Sequence, residues 1–317
     1  MNKLSVKIEQ VVQEAEDILS FRLVDVNGQA LPAFTPGSHI DVYISDTLTR
    51  QYSLCNAPDE IAYYQIAVKK EPESRGGSLA MHESLKPGDI IQISEPRNNF
   101  KLDPGAEHSL LLAGGIGITP ILSMARYLQS MRQSFELDYF TRSIEHTAFY
   151  ELFSEEPFRD KVNFKFGLEP NELRTYLVER LSTRAEKTHV YLCGPRPFMD
   201  LIVEVAADNW PSEAVHLEYF SAGAEVAEMQ TGEFQLRLER SGKTFSVPEG
   251  KTIIEVLAEN GIDVPTSCEQ GVCGTCVTKV LSGEPDHKDY YLMDDEKSAG
   301  DQMCICISRA KSEELVL

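Results

Sequence analysis

The chain has 317 residues, 42% hydrophobic and 25% charged, which describes a folded globular protein of two or three domains and excludes a disordered one. No apolar run reaches the roughly 18 residues of a membrane span. The N-terminal stretch Met1–Lys7 has no apolar core, so a cytoplasmic protein is expected. A net charge of −20 excludes a nucleic-acid binder, which needs a basic surface to displace counterions.

Residues 1–103 carry short alternating runs at Leu4–Val11, Ile18–Val24, Ser38–Ile44, Gln51–Cys55 and Tyr63–Lys69. Turn residues such as Gly28, Pro36-Gly37 and Pro87-Gly88 separate them, the pattern of a small antiparallel barrel. A short helix is expected at Ser78–Leu85. Residues 104–226 change character. Strands are expected at Ser109–Ala113, Phe135–Phe140, Val162–Phe166, His189–Cys193 and His216–Tyr219. Helices are expected from Pro120 to Ser130, at Asn171–Leu181 and at Pro197–Asp208. Such alternation predicts a parallel sheet clothed by helices. Ser221–Gly232 reads as a linker. Residues 227–317 then form a compact α+β unit with strands at Phe234–Arg240 and Lys243–Val247, a helix at Thr252–Asn260 and a cysteine loop.

That loop carries the strongest signal. Cys268, Cys273 and Cys276 stand as C-x₄-C-x₂-C, and Cys306 follows after 29 residues. This is the plant-type spacing for a 2Fe–2S cluster, in which four thiolates serve two irons. Gly271 and Gly274 let the loop backbone come close to the cluster. Zinc sites use paired C-x₂-C units or histidines, which the loop lacks. Cys304 lies two residues from Cys306, and spacing does not separate the two.

An iron–sulfur cluster takes single electrons, whereas a hydride carries two. A flavin upstream can split the pair. In Arg50-Gln51-Tyr52-Ser53, the arginine can fork onto a phosphate. Tyr52 can pack along a flavin, and Ser53 can hydrogen-bond the ring edge. Gly76-Gly77-Ser78 opens a helix, where free amides attract an anion and Ser78 can cap the end. Gly114-Gly115-Ile116-Gly117-Ile118-Thr119-Pro120 lies between a strand and a helix, the position of a nucleotide phosphate in a parallel sheet. Pro120 replaces the third glycine of the usual fingerprint and suits a first helical turn. Cys193-Gly194-Pro195 ends a strand, where a thiol can face a nicotinamide or be a buried free cysteine.

These motifs, in this order, resemble the phthalate dioxygenase reductase family. The resemblance spans the chain. It also uses Ser74-Arg75-Gly76-Gly77-Ser78, Glu95-Pro96-Arg97-Asn98-Asn99-Phe100, Glu218-Tyr219-Phe220 and Cys306-Ile307-Ser308-Arg309-Ala310. It implies a flavin barrel, a nucleotide domain and a β-grasp-like ferredoxin domain, with FMN, NADH and a 2Fe–2S cluster as cofactors. It also implies a Rieske-type terminal oxygenase as partner. Arg50, Gly77 and Ser78 would hold the FMN phosphate, and Gln51, Tyr52 and Ser53 would lie against the flavin. Ala67, Val68 and Lys69 would run along the ring edge, with Phe220 over its face. Gly114, Gly115, Gly117, Thr119, Pro120, Cys193, Gly194 and Pro195 would form the nicotinamide site, with Arg142 near the adenosine. Ser53, Cys193 and Phe220 would flank the hydride path. Cys306 is the fourth ligand by this resemblance. The alternatives are a reductase for a carnitine or phthalate oxygenase, and a stand-alone electron carrier.

Overall fold

The computed structural model describes residues 3–45, 48–72, 76–220 and 232–317. The expected linker Ser221–Gly232, apart from Gly232, lies outside the described residues, as do the expected boundary at 226 and Ser74-Arg75 of the helix-opening motif. Contacts divide the chain into two compact units, Met1–Glu218 and Tyr219–Leu317.

The first unit begins with six antiparallel strands: β1 (Lys3–Ala15), β2 (Ile18–Asp25), β3 (His39–Ser45), β4 (Leu48–Ser53), β5 (Tyr64–Lys69) and, after helix α1 (Gly77–Ser84), β6 (Ile90–Ser94). They are ordered β4-β3-β6-β1-β2-β5. A bridge between Leu54 and Ile66 joins the two ends of that order. Cys55 N–H donates to Gln65 O at 2.8 Å beside it. The sheet thus closes into a barrel, which removes exposed edges. Alternation sends Val6, Ile8, Phe21, Leu23, Ile40, Val42, Ile66 and Ile93 inward as the core.

The same unit continues with β7 (His108–Gly114), α2 (Ile118–Ser130), β8 (Ser134–Thr141), α3 (Tyr150–Ser154), β9 (Val162–Phe166), α4 (Pro170–Leu181), β10 (Thr188–Cys193), α5 (Arg196–Ala206) and β11 (Val215–Glu218). The five strands are parallel, in the order β11-β10-β7-β8-β9. From β7 the chain winds outward through β8 and β9, then returns to β10 on β7's other side. That reversal opens a crevice at the carboxyl ends of β7 and β10. Helix α2 pins this layer to the barrel, because Ser123 Oγ donates to Asn56 O at 3.1 Å. Asp138 is fully buried but satisfied by Arg180 Nε, Tyr176 Oη and Asn163 Nδ2, each at 2.9 Å.

The second unit holds β12 (Phe234–Leu238), β13 (Lys243–Val247), α6 (Ile253–Glu259), β14 (Val277–Lys279), β15 (Pro285–Asp286), α7 (Asp294–Ala299), β16 (Gln302–Cys304), β17 (Arg309–Ala310) and β18 (Glu314–Val316). Its main sheet is β13-β12-β18, with β14–β16 and β15–β17 as separate pairs. Thr252 caps α6 by accepting from Glu255 N at 3.2 Å, and Glu255 reaches back to Thr252 N at 2.7 Å. Buried Arg309 donates to the carbonyls of Gly232 at 2.6 Å and Pro248 at 3.1 Å, and also to that of Lys251. No helix among the described residues is long and apolar enough to cross a membrane.

Candidate functional site

Strand β4 divides its side chains between two tasks. Arg50 and Tyr52 share one face and Gln51 and Ser53 the other. The Arg50 side chain lies against Gly77, where a Cβ would stand 2.5 Å from Arg50 Cγ and 2.7 Å from Nε. A guanidinium thus sits beside the first-turn amides of α1, a cradle for a phosphate. Helix α1 starts one residue earlier than expected, and its N-cap is Gly76 at φ 83°. Ser78 does not cap it. Its Oγ accepts from Glu71 N at 3.1 Å and ties the preceding loop down. His82, at the end of α1, bonds to Val68 O at 2.8 Å, so α1 is lashed to β5. Ala67 and Val68 are buried there, with Lys69 half-buried beside them. Burial pushes the Tyr52 phenol upward, against the pull of Arg50.

The two glycine motifs of the nucleotide layer meet at the β7/β10 crevice. A Cβ on Gly117 would strike the Cys193 carbonyl. A Cβ on Gly194 would lie 3.0 Å from Gly114 Cα, and one on Gly114 would lie 2.9 Å from Pro195 Cδ. Backbone therefore touches backbone, and glycine is required at Gly117 because a carbonyl cannot swing aside. Gly115 has φ +52° with open space beside its Cα, and Tyr139 Oη holds its carbonyl at 3.2 Å. Thr119 Oγ1 donates to Ile116 O at 3.1 Å, and Pro120 lies in the first turn of α2. Thr119 and Cys193 are both buried. Burial, with Glu218 second, drives the Cys193 thiol well above its ordinary range. Arg142 is exposed just beyond β8. Phe220 belongs to the second unit and is 39% exposed.

Two residues were not assigned a role from sequence. Glu218 ends β11 in register with Cys193. Its carboxyl is hydrogen-bonded by Ser53, and burial pushes it up to about 8. Its Oε2 is buried with no hydrogen-bond partner among the described residues. His39 Nδ1 lies 3.9 Å from Glu218 Oε1. Burial, followed by the Arg97 charge, lowers His39 to about 4. Behind it, Asp41 accepts from Arg97 Nη2 at 2.5 Å and from Gln51 Nε2 at 3.0 Å. A polar seam therefore runs from Arg97 to Ser53 at the join of barrel and nucleotide layer. The sequence signals were Glu218 in its tripeptide and His39 after Pro36-Gly37-Ser38, but no spacing links them.

In the second unit the thiols gather in hydrogen-bonded sets. Cys268 pairs with Cys273, and Cys276 meets both Cys304 and Cys306. Bonds from Cys304 and Cys306 draw the Cys276 thiol downward, and the bond from Cys268 draws Cys273 downward. Backbone amides aim at the sulfurs. Gln270 N lies 3.3 Å from Cys268 Sγ, and Thr275 N lies 3.5 Å from Cys273 Sγ. Gly271 N–H donates to Cys306. Such donors stabilise thiolates and suit a cluster. Cys306 also interacts with Cys268 across the ring. Cys304 instead lies on β16, paired with Val277.

Comparison with known proteins gives the same outline. Residues 4–102 match the model of the oxidoreductase FAD-binding domain, and residues 236–311 match that of the 2Fe-2S iron-sulfur cluster binding domain. The chain is 47% identical to a vanillate O-demethylase oxidoreductase of Pseudomonas sp. (strain HR199 / DSM 7063), over 96% of both chains. It is 43% identical to the phthalate dioxygenase reductase of Burkholderia cepacia, over 99% of this chain and 97% of the relative. A solved phthalate dioxygenase reductase superposes with a TM-score of 0.79 at 42% identity, covering 100% of this chain and 98% of that one. It is described as a modular structure for electron transfer from pyridine nucleotides to 2Fe–2S. An intact type IV self-sufficient cytochrome P450 monooxygenase superposes at 0.84 with 34% identity, over 99% of this chain and 41% of that one.

Proposed function

The chain belongs to the phthalate dioxygenase reductase family, and on that premise we propose that it is the reductase component of a vanillate O-demethylase. It is an NADH-dependent flavin and iron–sulfur oxidoreductase that serves an oxygenase partner. The finer assignments proposed are FMN as the flavin, NADH over NADPH, and a Rieske-type oxygenase. The observation that carries the relay is the gathering of Cys268, Cys273, Cys276, Cys304 and Cys306 in one region, with backbone amides aimed at the sulfurs of Cys268 and Cys273. A one-electron centre is needed when electrons that arrive in pairs must leave singly.

When bound, a flavin would supply hydride acceptance and one-electron release, and a 2Fe–2S cluster would supply one-electron transfer toward the partner. The chain's own task is positioning. Arg50 and the first-turn amides of Gly77 and Ser78 would grip the flavin phosphate. Tyr52 would lie along the flavin, and the backbone of Ala67, Val68 and Lys69 would meet its edge. Gly114, Gly115 and Gly117, with Thr119 and Pro120, would seat the nicotinamide nucleotide at the crevice, with Cys193, Gly194 and Pro195 as its second wall. Glu218, raised to about 8, keeps its proton at neutral pH behind Ser53. Cys268 with Cys273 would hold one iron, and Cys276 with Cys306 the other. Arg142 would approach the adenosine.

The test is an anaerobic visible titration with NADH, then NADPH, followed by release and weighing of the flavin. Bleaching of flavin and cluster by NADH, with FMN released, supports the reading. FAD in the released fraction would overturn the FMN assignment. A flavin left oxidised by NADH would favour a stand-alone carrier. Addition of a vanillate demethylase oxygenase should then yield NADH-dependent demethylation, and failure with an active oxygenase would exclude vanillate as the final substrate.

A further inference from the structure

The segment Pro285-Asp286-His287-Lys288-Asp289 has no role in the relay described above. Its first two residues form β15, which pairs with β17 just beyond the Cys306 segment. At its end Asp289 is 3% exposed, and its two oxygens serve different neighbours. Oδ1 accepts from Ser308 Oγ at 3.1 Å, and Ser308 Oγ accepts from Lys288 N at 3.2 Å. Ser308 closes the turn that carries Cys306, because Ser308 N–H donates to Cys304 O at 3.0 Å. Oδ2 accepts from Leu292 N at 2.9 Å. That bond shapes a turn whose Tyr291 ring covers Gly274, between Cys273 and Cys276. Next to Asp289, Tyr290 N–H donates to Gly271 O at 2.9 Å. The same Gly271 peptide gives its N–H to Cys306. Asp289 Cα is so near that a Cβ on Gly271 would stand 2.9 Å from it.

One carboxylate thus links the three-cysteine loop to the returning strand. We propose that Asp289 is a positioning residue for the cluster, clasping the Cys306 turn with one oxygen and the cover of the Cys268–Cys276 loop with the other. The inference rests on the 2Fe–2S reading. Both oxygens act as acceptors. Asp289 also interacts electrostatically with Cys304, two residues before Cys306. His287 Nδ1 lies 3.5 Å from Asp289 Oδ1. Negative charge beside the cluster opposes the arrival of an electron.

The experiment uses the holoprotein, purified anaerobically, with the variants Asp289→Asn and Asp289→Ala. Asp286→Asn serves as control, because Asp286 pairs with Lys288 at 2.9 Å and stands outside the clasp. Three quantities are read: the EPR g-values of the reduced cluster, its midpoint potential and its rate of loss to an iron chelator. Asparagine can still accept from Leu292 N–H and donate to Ser308, so the cluster should assemble. Its reduced fraction at a fixed poise should rise several-fold, where tenfold corresponds to about 59 mV for one electron. Alanine removes both bonds and should speed cluster loss at least several-fold with altered g-values. If Asp289→Ala does not fold, Asp289→Asn decides through the potential. Variants that match wild type in all three readouts would overturn the clasp. A wild-type protein without a cluster signal would remove the functional reading itself, a different and recognisable outcome.

Discussion

The crevice of the first unit and the cysteine ring of the second solve opposite problems. On the reading proposed above the crevice would bring two bound molecules together, and its walls, at the ends of β7 and β10, are held by backbone packed on backbone. The ring must hold one group, so nearly all its parts lie in one loop and one returning turn. A site between rigid layers fails when a wall moves. A ring fails when a single ligand is lost.

The largest contrast is expected from the ligands. Cys306→Ser should lose the native cluster spectrum, while Cys304→Ser should keep it, and NADH should still reduce the flavin in both. Visible and EPR spectra of the two variants decide it, and the reverse result would make Cys304 the ligand. Next comes the wall. Gly117→Ala drives a methyl into the Cys193 carbonyl, and overpacking of this kind costs about 1–3 kcal/mol. Flavin reduction by NADH should slow more than tenfold in stopped-flow while the cluster's EPR spectrum stays unchanged.

A smaller effect tests the polar seam. Burial raises Glu218 from 4.5 to about 8. The folded protein therefore keeps a proton that the unfolded chain releases above about 4.5. Stability falls as pH rises from there to about 8 and is level beyond. Glu218→Gln should flatten that slope, by at most roughly 5 kcal/mol at about 1.36 kcal/mol per unit. The true change is smaller, because 14% of the side chain meets solvent. His39 works in the other direction. Lowered to about 4 from 6.5, it removes stability as pH drops through that range. Denaturant melts between pH 4 and 9 separate the two slopes. The smallest effect concerns the partner. The net charge of −20 should make electron delivery to a basic oxygenase patch fall several-fold at high salt, while reduction of a small acceptor stays level.

Much of this architecture was legible from pattern. The alternation of residues 1–103 pointed to the barrel, and the glycine and cysteine motifs fell where turns and loops occur. β1 runs on to Ala15, past the expected Val11, because irregularities between Ile8 and Gln10 and between Gln13 and Ala15 break the alternation that marks a strand. β6 was missed because Ile90-Ile91-Gln92-Ile93 is nearly continuous in apolar residues, with Ile90 turned 63% to solvent. α7 was missed because Asp294–Ala299 is short and polar all round, and no residue in it is buried. The His39–Glu218 approach was invisible for another reason. It joins β3 to β11, and a contact between distant strands leaves no trace in local spacing.

The alternation of β4 limits how such a chain can vary over generations. At about 3.3 Å per residue, the four positions from Arg50 to Ser53 act as a short ruler with a mark on each side. Inserting or deleting one residue there would swap the sides. Arg50 would leave Gly77 at the moment Ser53 left Glu218. The two neighbourhoods are therefore inherited as one. Substitutions can adjust either of them, and the loops before and after can change length. The ruler itself cannot grow or shrink without erasing both.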